Sequence, residues 1–380
     1  MCYAGEPKKL AATLKKMGKP IPTIRILLMT HTSELGQNSD GKEYASFEAT
    51  GQCKDARLAA TLKTTPEIIE NALLGQDAAG DPVVPTTRIN EYFSTVVGID
   101  TAGPETTCFT ASGMNYYTRL VEAVYTAAKK RRGLGWQGKL LVHTHVGEGS
   151  TVYYGKQFPV KPWTFKEVFG RLPDESGNEV TNANVAHKNI STLLAAIANI
   201  ERAHQDIHDY VVFRLGHVTW ADQAQAEAMA DAQVEADVNL DSNIATNAYP
   251  LSYMPNRNQI KVRLSRILSD PVTNLEVNDF PHFLIPDPQD VNTVGEVLGN
   301  ASLKYLLLAR VRVLLGSDGS GVEHASMSRE YALAASLIKY WDGHAADFRE
   351  RTGDISEHYF FDNVNWHLKN MSTDTYMPYR

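Results

Sequence analysis

The feature that most constrains this chain is a recurrence of short apolar runs, each of strand length, between longer stretches of helical periodicity. The runs are Ile24 to Thr30 (IRILLMT), Thr95 to Asp100 (TVVGID), Leu140 to His145 (LLVHTH), Val211 to His217 (VVFRLGH), Val234 to Leu240 (VEADVNL) and Val311 to Ser317 (VRVLLGS). Each is nearly continuous in apolar character, which is how a strand buried on both faces reads. Between the third and fourth runs, Ile190, Leu193, Leu194, Ile197 and Ile200 form one apolar helical stripe. Ahead of the third run, Tyr117, Leu120, Val121 and Val124 form another. Such alternation predicts an α/β fold built on a parallel sheet.

Polar, acidic or histidine residues stand at the C-terminal ends of the runs: His31, Asp100, His145, His217, Asn239 with Asp241, and Asp318. Barrels and open α/β sheets both assemble their sites on that side. Residues 35–90 are polar and rich in Thr, Gly and Asp, and read as irregular loop with a short helix near Pro66 to Leu74. Residues 150–188 read as a second insertion, carrying Tyr153, Tyr154, Phe158, Trp163, Phe165 and Phe169, of the kind that covers a substrate. Residues 345–380 form an aromatic tail, and residues 1–380 are expected to make one domain.

Composition narrows the functional classes. With 380 residues, 43% of them hydrophobic and 21% charged, the chain can bury a large core. Its net charge of −7 is thinly spread, and the compact basic run Lys129 to Arg132 precedes a Gly-Leu-Gly turn, where a solvated helix end is expected instead of a nucleic-acid patch. No apolar stretch approaches the roughly 18 to 20 residues that span a bilayer, and the first twenty residues lack a signal-peptide core, so no membrane partner and a cytoplasmic location are expected. Cys2, Cys53 and Cys108 are too scattered for a disulfide framework and read as free thiols.

The chemistry gathers at three run ends. The third closes His143-Thr-His145-Val-Gly-Glu148, which sets two histidines on one strand face and lets the turn after Gly147 return Glu148 over the strand end. A metal ligand beside a proton-handling carboxylate fits that arrangement. The fourth closes Arg214-Leu-Gly-His217, where the histidine is placed to orient a water or stabilise developing charge. In the sixth, Gly316-Ser-Asp318-Gly-Ser-Gly321 brings a carboxylate between small residues, within reach of a metal. A phosphate-cradling glycine loop is the rival there, but the G-x-G-x-x-G order and a following Lys-Ser/Thr pair are absent.

Taken in order, these segments resemble the adenosine deaminase family of the amidohydrolase superfamily over roughly residues 20–345. VVGIDTAGPE (Val96 to Glu105) is similar to the family's V-V-x-I-D-L-A-G-D-E, HVGE to its H-A-G-E, RLGH to its R-I-G-H-G, NLDSN (Asn239 to Asn243) to its C-P-T-S-N, and GSDGSG to its N-T-D-D-P. The resemblance implies a (β/α)8 TIM-type barrel of the metal-dependent hydrolase class. It implies one Zn2+ held by His145 and Asp318, with His143 a further ligand candidate, Glu148 as the acid that protonates a substrate ring nitrogen, and His217 as the residue orienting hydroxide. Gly103 becomes a backbone contact to the base, with Asp100 and Gly319 also on the substrate side; His324 or the aromatic insertion is a candidate replacement for the contact that Gly319 lacks. The reaction implied is hydrolytic deamination of adenosine, a related purine nucleoside or another amine-bearing ring.

Two departures shape the expectation. The family's opening H-x-H pair has no counterpart before residue 100, where His31 stands alone, and six runs are found where a barrel needs eight. The first two strands are therefore expected from another chain or segment. At Gly319 the family carries a second aspartate, which leaves the ring system open. The alternative reading is a catalytically silent relative that serves as a binding or partner subunit.

Overall fold

The computed structural model describes residues 26–31, 65–102, 109–148, 172–173, 179–180, 182–245, 289–299, 301–316, 318, 327–344 and 348. All six apolar runs form strands of one parallel sheet: β1 (Ile26–His31), β2 (Val96–Ala102), β3 (Leu140–Val146), β6 (Val211–His217), β7 (Glu235–Val238) and β8 (Val313–Leu315). A separate antiparallel pair, β4 (Leu172–Pro173) with β5 (Glu179–Val180), lies within the expected insertion. The sheet order β1-β2-β3-β6-β7-β8 follows the chain order. Among the described strands there is no reversal of the kind that opens the crevice of a doubly wound sheet.

Helices fill the connections: α1 (Pro66–Leu73), α2 (Ile89–Thr95), α3 (Ala111–Gly133), α4 (Asn182–Ala203), α5 (Gln223–Asp231), α6 (Leu240–Ala245), α7 (Val291–Leu298), α8 (Leu303–Leu308) and α9 (Met327–His344). Local sequence fixes several starts. Thr65 caps α1 through its side chain, with Pro66 at the first turn, and Thr110 Oγ1 accepts from Gly113 N at 3.0 Å at the head of α3. Asp222 and Gln225 form a reciprocal capping box on α5. The stretch expected as loop over 35–90 holds α1 as predicted, and also a 3-10 turn at Thr86–Arg88 and the start of α2. Helix α4 begins at Asn182, so it takes the last residues of the expected 150–188 insertion. No helix among the described residues is long and apolar enough to cross a membrane.

The register separates two unlike faces. One carries Ile99, Val142 and Phe213 in one row and Thr101, Thr144, Leu215, Ala236 and Val313 in the next. On it pack Tyr117, Leu120 and Val124 of α3 and Ile190, Leu193 and Ile197 of α4, in one continuous core. The opposite face carries Asp100, His143, Arg214 and Glu235 in one row and His145, Gly216 and Asp237 in the row above. The expectation of strands apolar on both faces is thus corrected: helices cover one face, and ionisable groups line the other. Buried Glu235 is compensated there by Arg214, at 2.7 and 3.0 Å, and by Arg312 at 3.1 Å. At the β1 edge Ile26 is 47% and Met29 73% exposed.

The basic run at the end of α3 also differs from expectation. Lys130 meets Glu70 at 2.6 Å and Arg132 lies over the Tyr210 ring at 4.0 Å, but Arg131 is fully buried. Its guanidinium donates to Leu73 O at 2.9 Å, Val96 O at 2.7 Å and Phe93 O at 3.3 Å, and sits 4.4 Å from the Phe93 ring centroid. Those carbonyls close α1 and α2 and open β2, so the cation meets the acceptors that helix ends leave over. Arg131→Met, which leaves them buried without donors, is expected to lower the unfolding free energy by about 3 kcal/mol or more in urea denaturation. A loss under about 1 kcal/mol would show that the carbonyls find other partners.

Candidate metal and active site

Three strand ends converge on the charged face. His143 Nδ1 lies 2.9 Å from Asp100 Oδ1, and His145 Nε2 lies 3.5 Å from the same oxygen. The two β3 rings are 5.0 Å apart, as two residues on one strand face should be. Burial works against the charge of Asp100. The hydrogen bond from His143 and the neighbouring His143, His145 and His217 outweigh it and hold the carboxyl below its usual pKa.

A chain of hydrogen bonds fixes how the rings are oriented. Asn243 Nδ2 donates to Thr219 Oγ1 at 2.7 Å, which turns Asn243 Oδ1 toward His217 Nδ1 at 2.8 Å. Asn239 Nδ2 approaches the same His217 Nδ1 at 3.3 Å, and on the other side of the ring His217 Nε2 meets His145 Nδ1 at 2.9 Å. His145 Nε2 is thereby directed to the Asp100 side. In His143 the Nδ1–H donates to Asp100, which leaves Nε2 as the bare nitrogen.

Backbone geometry brings Glu148 and Asp318 to the same mouth. Gly147 has φ 89°, and a Cβ there would stand 2.8 Å from Ile190 Cδ1 and 3.1 Å from Val218 Cα, so only glycine lets the turn close. His217 and Val218 have φ 65° and 41°, and Val218 N donates to Val146 O at 3.0 Å. Left-handed backbone at a β-branched residue is strained, and it is held here by the adjoining strand. Glu148 Oε2 lies 3.7 Å from His217 Nε2. Asp318, with φ 46°, accepts from Ser242 Oγ at 3.1 Å.

Two groups of potential ligands result: Asp100, His143 and His145, and beside it Glu148, His217 and Asp318, with the ligand atoms of each group within 4.8 Å of one another. His145 and Asp318, paired as metal ligands in the sequence reading, fall in different groups, joined through the His145–His217 contact. Asp100, expected along the substrate, lies against both β3 histidines. Gly103, Gly319 and His324 lie outside the described residues, as do the aromatic side chains of the insertion and most of the tail. Comparison with family models, curated proteins and solved structures finds no match to this chain. The site is therefore read from its own geometry.

Asp237, Thr219 and Asn243 were missed in the sequence. The signal for Asp237 was present, because Glu235, Asp237 and Asn239 alternate along one strand and its continuation, and so share a face. Asp241, noted at the strand end, is instead buried against Arg329 Nε at 2.9 Å and supports the turn.

That turn is held from α9. Buried Glu330 accepts from Leu240 N at 2.6 Å and from Asp241 N at 2.9 Å, at the start of α6. Burial raises its pKa to about 8, with the two amides and the Ser242 amide opposing and Asp241 adding to the rise. An acid whose folded pKa lies above its unfolded value favours folding most while both states are protonated. Its contribution falls as pH climbs from about 4.5 toward about 8. Urea midpoints measured from pH 5 to 8.5 are expected to decline across that window, and to decline less in Glu330→Gln. An identical slope in the variant would remove Glu330 as the source.

Proposed function

We propose that this chain is a metal-dependent aminohydrolase of the adenosine-deaminase type, acting on adenosine, a related purine nucleoside or another amine-bearing ring. The observation that carries the reading is the convergence of His145, Asp100, His217, Glu148 and Asp318 at the C-terminal ends of four strands of one parallel sheet, β2, β3, β6 and β8. A parallel sheet whose order follows the chain, with helices on one face and charged side chains on the other, supports closure into a (β/α)8 barrel. The exposed β1 edge is where closure would be completed, by residues of this protein outside those described or by another chain.

The donor set suits zinc, which takes imidazole and carboxylate ligands in small number. His145, whose Nε2 faces the Asp100 carboxylate, would hold it together with Asp100, and Asp318 would complete the set from the neighbouring group. Zinc in such a set supplies Lewis acidity. Glu148 gives its proton to a ring nitrogen, so that the electron pair of the C=N bond is drawn off as water adds to the amine-bearing carbon. His217, fixed by Asn243 and His145, orients that water. The C–N bond then breaks, the amine leaves as ammonia after gaining a proton, and a carbonyl remains on the ring. Ionisable groups gathered at a strained, partly buried mouth serve such proton transfers, and each transfer contributes on the order of 10²- to 10⁴-fold to rate.

The test is ammonia release from adenosine and ring analogues by zinc-loaded protein. Turnover is expected in the wild type and a loss of about 10²-fold or more in Glu148→Gln, with zinc content unchanged. Turnover that survives Glu148→Gln would exclude Glu148 as the proton donor. A wild type that takes up zinc but releases no ammonia from any ring tested would favour a silent, ligand-binding relative.

A further inference from the structure

Between the β3 histidines and β7 lies a second cluster that the proposed reaction does not use. We propose that His143, Asp237 and Asn239 form a separate binding site for a divalent transition-metal cation, behind the mouth and on the same face of the sheet. The inference does not depend on the aminohydrolase reading.

The geometry starts from two glycines. Gly216 of β6 lies in register with His145 on one side and Asp237 on the other. A Cβ on Gly216 would stand 3.1 Å from His143 Nε2, so the bare backbone lets the imidazole reach across β6 toward β7. His143 Nε2 comes to 3.7 Å from Asp237 Oδ2, too long for a hydrogen bond. On the far side, a Cβ on Gly316 would stand 2.3 Å from Asn239 Oδ1 and 2.7 Å from Asp237 Oδ1, so both oxygens crowd the same bare face. Gly316 cannot retreat from them, because its N–H is tied to Val238 O at 3.1 Å.

Three atoms in this cradle, His143 Nε2, Asp237 Oδ1 and Asn239 Oδ1, are buried without a hydrogen-bond partner among the described residues. His143 and Asn239 are themselves 8% and 4% exposed. Since Asp100 takes the Nδ1 proton of His143, Nε2 is a lone pair; Asn239 turns its Nδ2 to His217 Nδ1 at 3.3 Å and so presents Oδ1 to the cradle, and all three atoms are acceptors. A proton on Nε2 would leave both oxygens unsatisfied, and a single water has two protons for three acceptors. A divalent cation satisfies the three together. Imidazole with carboxylate and amide oxygens suits zinc, manganese, iron or nickel better than calcium or an alkali ion. The Asp100–His143 hydrogen bond is the outer contact that metal-binding histidines usually make, fixing the tautomer and orienting the ring.

The experiment is titration of metal-free, full-length protein with Co2+, followed by visible absorption and calorimetry, with circular dichroism to confirm folding. Asp237→Asn preserves side-chain shape, Asn239→Leu removes the oxygen, and Gly316→Ala removes no ligand but puts a methyl between the two oxygens. Each is expected to weaken one equivalent of Co2+ by at least roughly tenfold. Asn239→Asp, which offers an oxygen whichever way it turns, is expected to bind at least as tightly as wild type. If all three weakening variants bind as the wild type does, or the wild type binds no Co2+ beyond what His145→Gln with Asp318→Asn removes, the proposal is overturned. Tighter folding in wild type than in Asn239→Asp with no Co2+ bound by either would likewise overturn it, because the Asn239 amide would then be a donor to Asp237. The two readings fail separately: loss of ammonia release with the Co2+ equivalent intact leaves this site standing, and the reverse leaves the aminohydrolase standing.

Discussion

Parallel register decides what this molecule can do with its charges. Because residues paired across a parallel sheet point to the same side, the row that brings Asp100 beside His143 also brings Arg214 beside Glu235. None of these groups can be sunk into the helix-covered core without a partner, since an uncompensated buried charge costs several kcal/mol. The solution is pairing within the row: carboxylate to imidazole on the β2–β3 side, carboxylate to two guanidiniums on the β6–β8 side. The second arrangement is saturated and inert. The first leaves the Nε2 of His143 without a hydrogen-bond partner among the described residues.

Much of this was legible in the chain before any coordinates. The six strands lie where the apolar runs are, with shifts of a few residues at their ends, because runs of β-branched residues between turn-forming residues leave few alternatives. His145, Glu148 and His217 were legible as strand-end groups, and they do meet. Three things were not legible. Period-two alternation was masked in runs such as LLVHTH and VVFRLGH, where large apolar residues and ionisable ones share six or seven positions, so both faces read as apolar. Arg131 was read by its charged neighbours, since nothing local distinguishes a cation that caps helix ends from one that faces water. Partner choice across strands was also hidden: that His145 reaches His217 and that His143 reaches Asp100 depends on which strands are neighbours, a property of the whole sheet.

The strain at His217 and Val218 fits the same picture. A left-handed valine persists only where its surroundings leave it no alternative. Here a backbone hydrogen bond to β3 and the bare Gly147 fix one side, while Asn243 fixes the ring of His217 on the other. Asn243 is in turn set by α6, whose first amides are held by Glu330 of α9. A side chain at the mouth thus takes its orientation from a helix that follows it by more than a hundred residues, and its precision depends on the last described strand and helix being in place.

Arg131 carries a consequence of another kind. Its guanidinium joins Leu73, Phe93 and Val96, residues 58, 38 and 35 positions earlier, into one buried node. Any opening of α1 or α2 must strip acceptors from a buried cation, so these two helices, the start of β2 and the end of α3 have to come apart together. In amide hydrogen exchange such a node behaves as a single cooperative unit, in which the short helices α1 and α2 inherit protection from the long helix α3 that isolated segments of seven or eight residues could not supply.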